Sequence, residues 1–420
     1  MPSVAAMKWS SALSRETDPI DAVAELTGKL HAALGDAQPD LLIVFVSYQH
    51  REHFTKIAAA LRRSINPRHF AGCTGGAIIG ENTEVEEAHA IAAIAATLPG
   101  VEIHPFRFSD QDLPDLDGGP RPWEDAVGVK PADEPAFIVM IDPFSLRADD
   151  LLNGLDFAYP KSVKVGGLAS AANQAGQNAL FLNEAVFRGG AVGIALTGNI
   201  RLDALVTQGC RPIGQPLTVT KCRRNFLLGL NEQRPIQVVQ DLYRNAPEDD
   251  QELIRSSLRI GIIMDPFKQE KPEPGDFLIR NILGQTPDDG GLAISAVLRE
   301  GQLVQFHVGD SAAAHQDLNG VLRRYSKAML QEGKGDSLPP PPAGALLFSC
   351  LGRGRHMYGH PNHDTENFQT LMGPVPVAGF FCNGEIGPVG GTTYVHGFTS
   401  CFGLFRPKAP AIPNHPTPDS

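Results

Sequence analysis

The sequence predicts an α/β protein of mixed, largely antiparallel sheets with helices on their outer faces, in which two similar halves form one body. Short runs rich in β-branched and aromatic residues recur along the chain between glycine, proline and aspartate, a pattern typical of strands and turns. Amphipathic helical segments separate some of these runs. Residues 41–80 also resemble residues 345–387 in the order of their elements: strand, polar loop, helix, second strand and glycine-rich loop.

The N-terminal half begins with a helix and continues with strands. Asp18 is a helix N-cap, Pro19 suits the first helical position, and Gly35 follows an apolar stripe as a stop signal. The pattern then changes to short apolar runs, many of which alternate small and large residues. Strands are predicted in residues 41–48, 89–98, 136–144, 178–183, 190–198 and 202–209.

The C-terminal half begins where the chain becomes helical and acidic, over residues 234–257. Four consecutive prolines make residues 333–344 a loop that ends a preceding helix. Strands are predicted in residues 258–265, 276–283, 292–298 and 303–309, and a helix in residues 315–331. We predict an N-terminal arm and helix at 1–37, an N-terminal domain at 38–233, a C-terminal domain at 234–405 and a disordered proline-rich tail at 406–420.

Bulk composition excludes several classes of function. A net charge of −11 over 420 residues, without a local cluster of lysine and arginine, argues against a nucleic-acid partner. No apolar run approaches 18 residues and the N-terminus lacks the pattern of a secretory signal, so we expect no membrane insertion and a cytoplasmic location. Six cysteines without a CxxC pair suit reduced thiols rather than a disulfide framework.

The most informative motif is GFFCNGEIGP at residues 379–388. Its glycines, Gly379, Gly384 and Gly387, allow positive φ, so a ligand could approach the backbone and an anion could bind successive N–H groups. Glu385 could then pair with a ligand amine. The alternative is a tight turn in which Glu385 caps the backbone or faces water.

A second glycine-rich motif, CTGG, lies in the N-terminal half. Gly72, Thr74, Gly75 and Gly76 offer the same flexible backbone with a hydroxyl in place of the carboxylate. We expect the loops at Gly76 and Gly384 to border a common cleft. Neither loop matches a phosphate-binding signature, so we predict no nucleotide cofactor and no other cofactor.

The segment SCLGRGRH combines a thiol with several cations. Arg353, Arg355 and His356 closely follow Cys350, and nearby cations lower a thiol pKa, which predicts that Cys350 is the most reactive cysteine. The alternative is an inert, buried strand cysteine. Arg353, flanked by glycines, suits bidentate capture of a carboxylate.

Histidines in the same region raise the question of a metal. His356, His360, His363 and Asp364 could supply zinc ligands together with Cys350, but Pro361 interrupts any helix there, and we predict no metal. His396 lies in a predicted strand, where a buried hydrogen bond is its ordinary role.

Together, CTGG, KVGGLAS, ALLFSCLGRG and GFFCNGEIGP, with His396 and Thr399, resemble the FIST family, the sensory domain of F-box and intracellular signal transduction proteins. The resemblance implies a small-ligand sensor with amino acids as the ligand class. Only about 35 residues precede the first strand expected at residue 41, so we expect a stand-alone protein with a separate signalling partner. By this resemblance the ligand-binding residues are Gly72, Cys73, Thr74, Gly75, Gly76, Gly166, Gly167, Cys350, Arg353, Gly379, Phe381, Asn383, Gly384, Glu385 and His396.

Two other classes of function remain open from the sequence. In an enzyme, Cys350 would be the nucleophile, His356 or His396 the base, and glycine N–H groups the oxyanion hole. No spacing identifies an acid that would orient the histidine. In an interaction platform the fold would serve only to dock partner proteins and would bind no ligand.

Overall fold

The computed structural model describes residues 6–35, 37–268, 270, 272–286, 290–332 and 341–408, and it confirms a mixed α/β protein with largely antiparallel strands. The first unit contains β1 (Lys8–Ser14), α1 (Pro19–Leu34), β2 (Leu41–Ser47), α2 (Phe54–Ile65), β3 (His69–Gly75), β4 (Ala77–Gly80), β5 (Thr83–Glu86) and β6 (Ile91–Thr97). The second contains β7 (Val101–Phe108), α3 (Arg121–Val127), β8 (Ala136–Ile141), α4 (Ala148–Ala158), β9 (Lys164–Leu168), β10 (Leu180–Leu182), β11 (Ala185–Phe187) and β12 (Ala191–Gly198).

The third unit is interrupted by a closed six-stranded barrel. It begins with β13 (Arg201–Gln208), and the barrel region follows as β14 (Cys210–Arg223), β15 (Phe226–Leu230), α5 (Pro235–Asn245), α6 (Glu248–Ser257), β16 (Leu258–Ile263), β17 (Phe277–Gln285), β18 (Leu292–Ile294) and β19 (Leu303–Gly309). The unit resumes with α7 (Ser311–Glu332), β20 (Gly344–Cys350), α8 (Arg355–Tyr358), α9 (His363–Met372), β21 (Val377–Cys382), β22 (Glu385–Val389), β23 (Thr392–His396) and β24 (Thr399–Arg406).

The three units share one topology. Each has a parallel strand pair joined through a helical connection, namely β2 with β3, β8 with β9, and β20 with β21. The similarity of residues 41–80 to residues 345–387 is therefore a similarity of topology, and residues 136–168 form a third copy. The hairpin that follows each pair adds to another unit's sheet: β4 pairs with β21, β10 with β3, and β22 with β9. The N-terminal and C-terminal parts are thus interleaved in one body.

The core lies between the three sheets. Along β2, Ile43 and Phe45 face this shared core, whereas Leu42 and Val44 pack beneath α1 and α2 on the outer face. Such alternation is what a strand with both faces covered requires. The other two sheets divide their side chains in the same way, with one face on the shared core and the other beneath helices. The helices therefore lie on the outer faces, as predicted.

Local signals in the sequence account for several element boundaries. Asp18 accepts a hydrogen bond from Ile20 N at 2.7 Å and Gly35 ends the helix with φ of 72°, which confirms the predicted start and stop of α1. Strand β1 lies inside the segment predicted as an arm and helix. Arg406, assigned to the tail, is a buried residue of β24, and residues 333–340 and 409–420 lie outside the described residues.

The boundary that we predict between residues 233 and 234 falls between β15 and α5, within the barrel region.

Candidate functional site

A cleft of about 360 Å³ opens between the first turn of α7, the short helix α8 and the start of α9. Three imidazoles, a phenol, a serine hydroxyl and two amides contribute to its wall, and no carboxylate, lysine or arginine is among the described residues that line it. The lining residues are Ser311, Ala312, His315, Gln316, Tyr358, His360, His363 and Asn367. Neutral polar side chains therefore dominate the cleft.

A chain of hydrogen bonds leads from the cleft into the protein. His363 Nδ1 lies 3.1 Å from Asp364 Oδ1, so the carboxylate assigns the proton to Nδ1. His363 Nε2 then accepts from His315 Nδ1 at 3.0 Å, and His315 Nε2 accepts from the Asn319 amide at 3.0 Å. His363 and His315 are therefore each held in a defined tautomer, and both nitrogens of each ring are bonded within the protein.

Asp364 is the buried anchor of this chain. Arg353 donates to it from Nε and Nη2 at 3.0 and 2.9 Å, while Ser349 and Ser400 donate hydroxyl hydrogen bonds to Oδ2. Burial alone would raise the pKa of Asp364, but the Arg353 charge and these hydrogen bonds outweigh it and hold the pKa well below its usual range. The Asp364 carboxylate beneath the cleft is therefore ionised and fully hydrogen-bonded within the protein.

Tyr358 packs between the cleft and the buried ion pair. Its ring stacks on His363 with 3.5 Å between centroids, and the Arg353 guanidinium lies 5.5 Å from the ring centroid. The phenol oxygen is buried without a hydrogen-bond partner among the described residues. Tyr358 therefore fixes the plane of His363 while keeping an unused hydroxyl beside the cleft.

The hairpin β4–β5, from the first unit, holds the backbone that carries these residues. Glu84 accepts from Thr365 N at 3.0 Å and donates its own N–H to Asn362, and Glu86 accepts from Arg355 N at 2.9 Å. Burial, with the nearby Asp364 charge, raises the pKa of Glu84 to about 8. The cleft in the C-terminal part is therefore positioned by residues of the N-terminal part.

Arg353 and Glu385 do not offer the ligand contacts expected from the sequence. Arg353 is fully buried and its bidentate carboxylate partner is the protein's own Asp364. Glu385 is fully buried in β22 and accepts from Thr399 Oγ1 at 2.7 Å. Burial raises its pKa to about 8, so Glu385 is not the fixed anion that pairing with an amine requires.

The glycines have a packing reason that the sequence did not reveal. A Cβ at Gly72, Gly166 or Gly379 would lie 2.0, 1.8 or 1.8 Å from a carbonyl oxygen of the adjacent parallel strand. The three positions are equivalent in the three units. The expected positive φ at Gly379, Gly384 and Gly387 is wrong, because none of the three has it.

The loops at Gly76 and Gly384 both hydrogen-bond to the end of β9 and the residues that follow it. Gly76 N donates to Ser170 Oγ at 2.8 Å, and the Gly384 carbonyl accepts from Leu168 N at 2.8 Å. A Cβ on either glycine would lie 2.6 Å from a side-chain carbon, of Leu351 or Val395 respectively. These glycines therefore allow close packing within the protein.

The remaining predicted residues of these motifs are also bonded or enclosed by the protein. A Cβ at Gly75 would lie 2.8 Å from the Cβ of Phe380, and a Cβ at Gly167 would lie 2.4 Å from the Sγ of Cys382. The Thr74 hydroxyl accepts from Ala179 N, and the Asn383 amide donates to the carbonyl of Ala169. Cys73 and Phe381, the last two predicted residues of these motifs, are buried strand side chains.

The structure corrects the expected reactivity of Cys350. Burial, with the neighbouring Glu385, raises the pKa of the Cys350 thiol to about 12, which is opposite to the expected direction. His396 donates from Nε2 to the Gly387 carbonyl at 3.0 Å, and burial lowers its pKa to about 4. His396 is thus a bonded strand histidine, and the geometry does not support a cysteine nucleophile with this base.

Metal-binding geometry is not found in the part of the chain that the structure describes. No group of three or more histidine, cysteine, aspartate or glutamate side chains there is arranged to hold an ion. His360 and His363 do lie together, in the wall of the cleft. Sequence reasoning missed His315, because it lies on a helix 48 residues before its partner His363 and no local motif marks it.

The chain belongs to the FIST family. The FIST N domain matches residues 40–233 and the FIST C domain matches residues 235–388. FIST domains are sensor domains of signal transduction.

Similar chains occur in bacteria and a plant. "Uncharacterized protein Rv0628c" of Mycobacterium tuberculosis is 33% identical over 399 residues, covering 95% of this chain and 100% of the relative. "Uncharacterized protein Mb0898c" of Mycobacterium bovis is 32% identical over 388 residues, covering 92% and 96%. "F-box/LRR-repeat protein At5g63520" of Arabidopsis thaliana is 29% identical over 119 residues, covering 28% of this chain and 22% of the relative.

Among solved structures, a cyanuric acid hydrolase aligns with 96% of this chain and 100% of its own, at 9% identity and a TM-score of 0.36. No helix among the described residues is long and apolar enough to cross a membrane.

Proposed function

We propose that this protein is a FIST sensor that binds a small carboxylate of the amino-acid class in the histidine cleft. The observation that carries the proposal is the cleft's composition: three imidazoles and the first turn of a long helix, without an acidic side chain among its described lining residues. We further propose that it acts as a stand-alone cytoplasmic protein through a separate signalling partner. Its six unpaired cysteines suit a reducing compartment.

The start of α7 favours an anion in this cleft. A helix of 22 residues leaves unsatisfied N–H groups and a partial positive charge at its N-terminus, and Ser311 and Ala312 of that turn line the cleft. Asp310 already accepts from Ala313 N at 2.9 Å and also bonds Ala312 N, so a ligand would address Ser311.

Arg353 has an indirect role in this proposal. It holds Asp364, Asp364 holds the Nδ1 proton of His363, and His363 orients His315. The ligand carboxylate then packs against the imidazoles and accepts from the Ser311 hydroxyl rather than from the guanidinium. The amides of Gln316 and Asn367 remain to recognise the rest of an amino-acid-like molecule.

A thermal-shift screen of the full chain with amino acids, their 2-oxo acids and small dicarboxylates tests the proposal. A ligand at about 100 times its Kd stabilises by about 2.7 kcal/mol. Calorimetry on the best hit should then show about tenfold weaker binding to His315→Ala, because His315 forms part of the cleft wall and bonds His363.

His31→Ala is the matched control, since His31 is an exposed histidine on α1 outside the cleft, and it should bind like the parent. Equal affinity of the parent and His315→Ala, with both proteins folded, would place the ligand elsewhere. A screen in which no carboxylate stabilises the parent would contradict the proposed ligand class.

A further inference from the structure

A second cavity, of about 450 Å³, lies between the wall of the barrel and the helices α5 and α6. On the barrel side it is bordered by Ile213, Leu217 and Phe306, and on the helix side by Val238 and Leu242. Its body is therefore apolar. The cavity belongs to the barrel region, whereas the histidine cleft lies between α7, α8 and α9.

An irregularity in β14 shapes the barrel side of the cavity. The pairing of β14 with β19 shifts register between Ile213 and Leu217, and Gly214 in this bulge has φ of 68°. Gln305 on β19 donates its amide to the Gly214 carbonyl at 2.7 Å. This bond holds the bulge in place, so the concave wall is a built feature of the barrel.

Helix α5 packs its apolar stripe against the barrel but buries it only in part. Val238 and Leu242, one turn apart, point towards the hydrophobic core of the barrel but remain only partly buried, and Pro235 is the one buried residue of α5. A helix with such a stripe normally buries it against its neighbour. Val238 and Leu242 also line the cavity, so the part of the stripe that the barrel leaves uncovered borders it.

The polar lining of the cavity is acidic. Asp241 and Asp250 contribute carboxylates, Gln215, Gln233 and Asn245 contribute amides, and no lysine, arginine or histidine is among the described lining residues. Asp250 pairs with Arg211, which also pairs with Asp310, so its charge is partly neutralised. Among the residues that the structure describes, Asp241 pairs with Arg244 across one helical turn, and both side chains are more than half exposed at the rim.

We propose that this cavity is a second ligand site, for a small organic cation that has an apolar body and an ammonium group. The apolar body would fill the space between the bulged strand and α5, where it covers the partly buried stripe. The ammonium group would lie at the rim beside Asp241, with amides as further acceptors. The lining of this cavity thus favours a cation, whereas the histidine cleft is proposed to bind an anion.

The test uses two probes of matched size, phenethylammonium and the carboxylate hydrocinnamate, titrated into the full chain by ligand-observed NMR and calorimetry. Phenethylammonium should bind at least about tenfold more tightly than hydrocinnamate. Leu242→Trp, which fills the cavity without changing a charge, should weaken phenethylammonium binding by about tenfold or more. Asp241→Asn should weaken it several-fold and reduce its dependence on salt.

Gln240→Trp is the matched control, because it adds the same side chain to an exposed position of α5 that does not line the cavity. It should bind phenethylammonium within about twofold of the parent. Equal binding of the two probes, unchanged binding to Leu242→Trp, or no binding of phenethylammonium up to about 10 mM would each overturn the proposal. None of these outcomes bears on the histidine cleft.

Discussion

Replacing Arg353 by alanine removes the support beneath the cleft. Arg353 and Asp364 are both buried and share two hydrogen bonds, at 3.0 and 2.9 Å. Breaking a buried pair by deleting one partner typically costs about 3–5 kcal/mol, since the other charge stays buried. Asp364 would keep donors from His363, Ser349 and Ser400, so we expect the lower end, about 3 kcal/mol.

Urea unfolding at neutral pH, followed by far-UV circular dichroism, measures this loss as a lower midpoint at constant slope. Arg244→Ala is the control: its pair with Asp241 is more than half exposed on both sides and should contribute less than about 1 kcal/mol. Arg353→Met combined with Asp364→Leu should recover part of the stability, because no buried charge is left unpaired. A loss below about 1 kcal/mol in Arg353→Ala would refute the assigned role of the ion pair.

Three further predictions concern the glycine positions, the buried carboxyl and the thiols. Gly379→Ala should fail to fold or lose more than about 3 kcal/mol of unfolding free energy. Gly28→Ala, which has open space around its Cβ in α1, should instead gain about 0.5–1 kcal/mol. Similar effects of the two substitutions in urea melts would contradict the packing argument. Because the pKa of Glu385 is raised from 4.5 to about 8, its contribution to stability is full below pH 4.5 and is lost as pH rises through about 8. The free energy of unfolding of the parent, measured in urea melts and compared with that of Glu385→Gln, should therefore fall between about pH 5 and about pH 9. Equal pH dependence of the two unfolding free energies would contradict this. Cys222 and Cys350 are both half-buried, but burial and the neighbouring Glu385 raise the pKa of Cys350 to about 12. Limiting iodoacetamide followed by mass spectrometry should therefore modify Cys222 before Cys350, and the reverse order would mean that the Cys350 thiol is activated after all.

Most of the fold could be predicted from the sequence because local signals and burial agree. The cap at Asp18, the stop at Gly35 and the apolar runs of β2, β8 and β20 define elements through residues that are neighbours in the chain. The third unit's barrel and the exchange of hairpins could not be predicted. Strand partners are chosen by contacts between distant residues, and periodicity does not encode which sheet a hairpin joins.

The candidate site was predicted only in part, for a related reason. The segment around Arg353 and Glu385 was singled out, yet both side chains are buried and bond to other protein groups. A glycine-flanked charge looks the same in a sequence whether a ligand or a neighbouring strand approaches it. His315 joins the cleft only because α7 packs against α9, so its role depends on tertiary structure alone.

The most direct test of the central claim is a crystal structure of the protein with the tightest carboxylate from the thermal-shift screen. We expect ligand density in the histidine cleft, against His315, with the carboxylate within hydrogen-bond reach of Ser311 in the first turn of α7. Density between the loops at Gly76 and Gly384, with an empty histidine cleft, would contradict it.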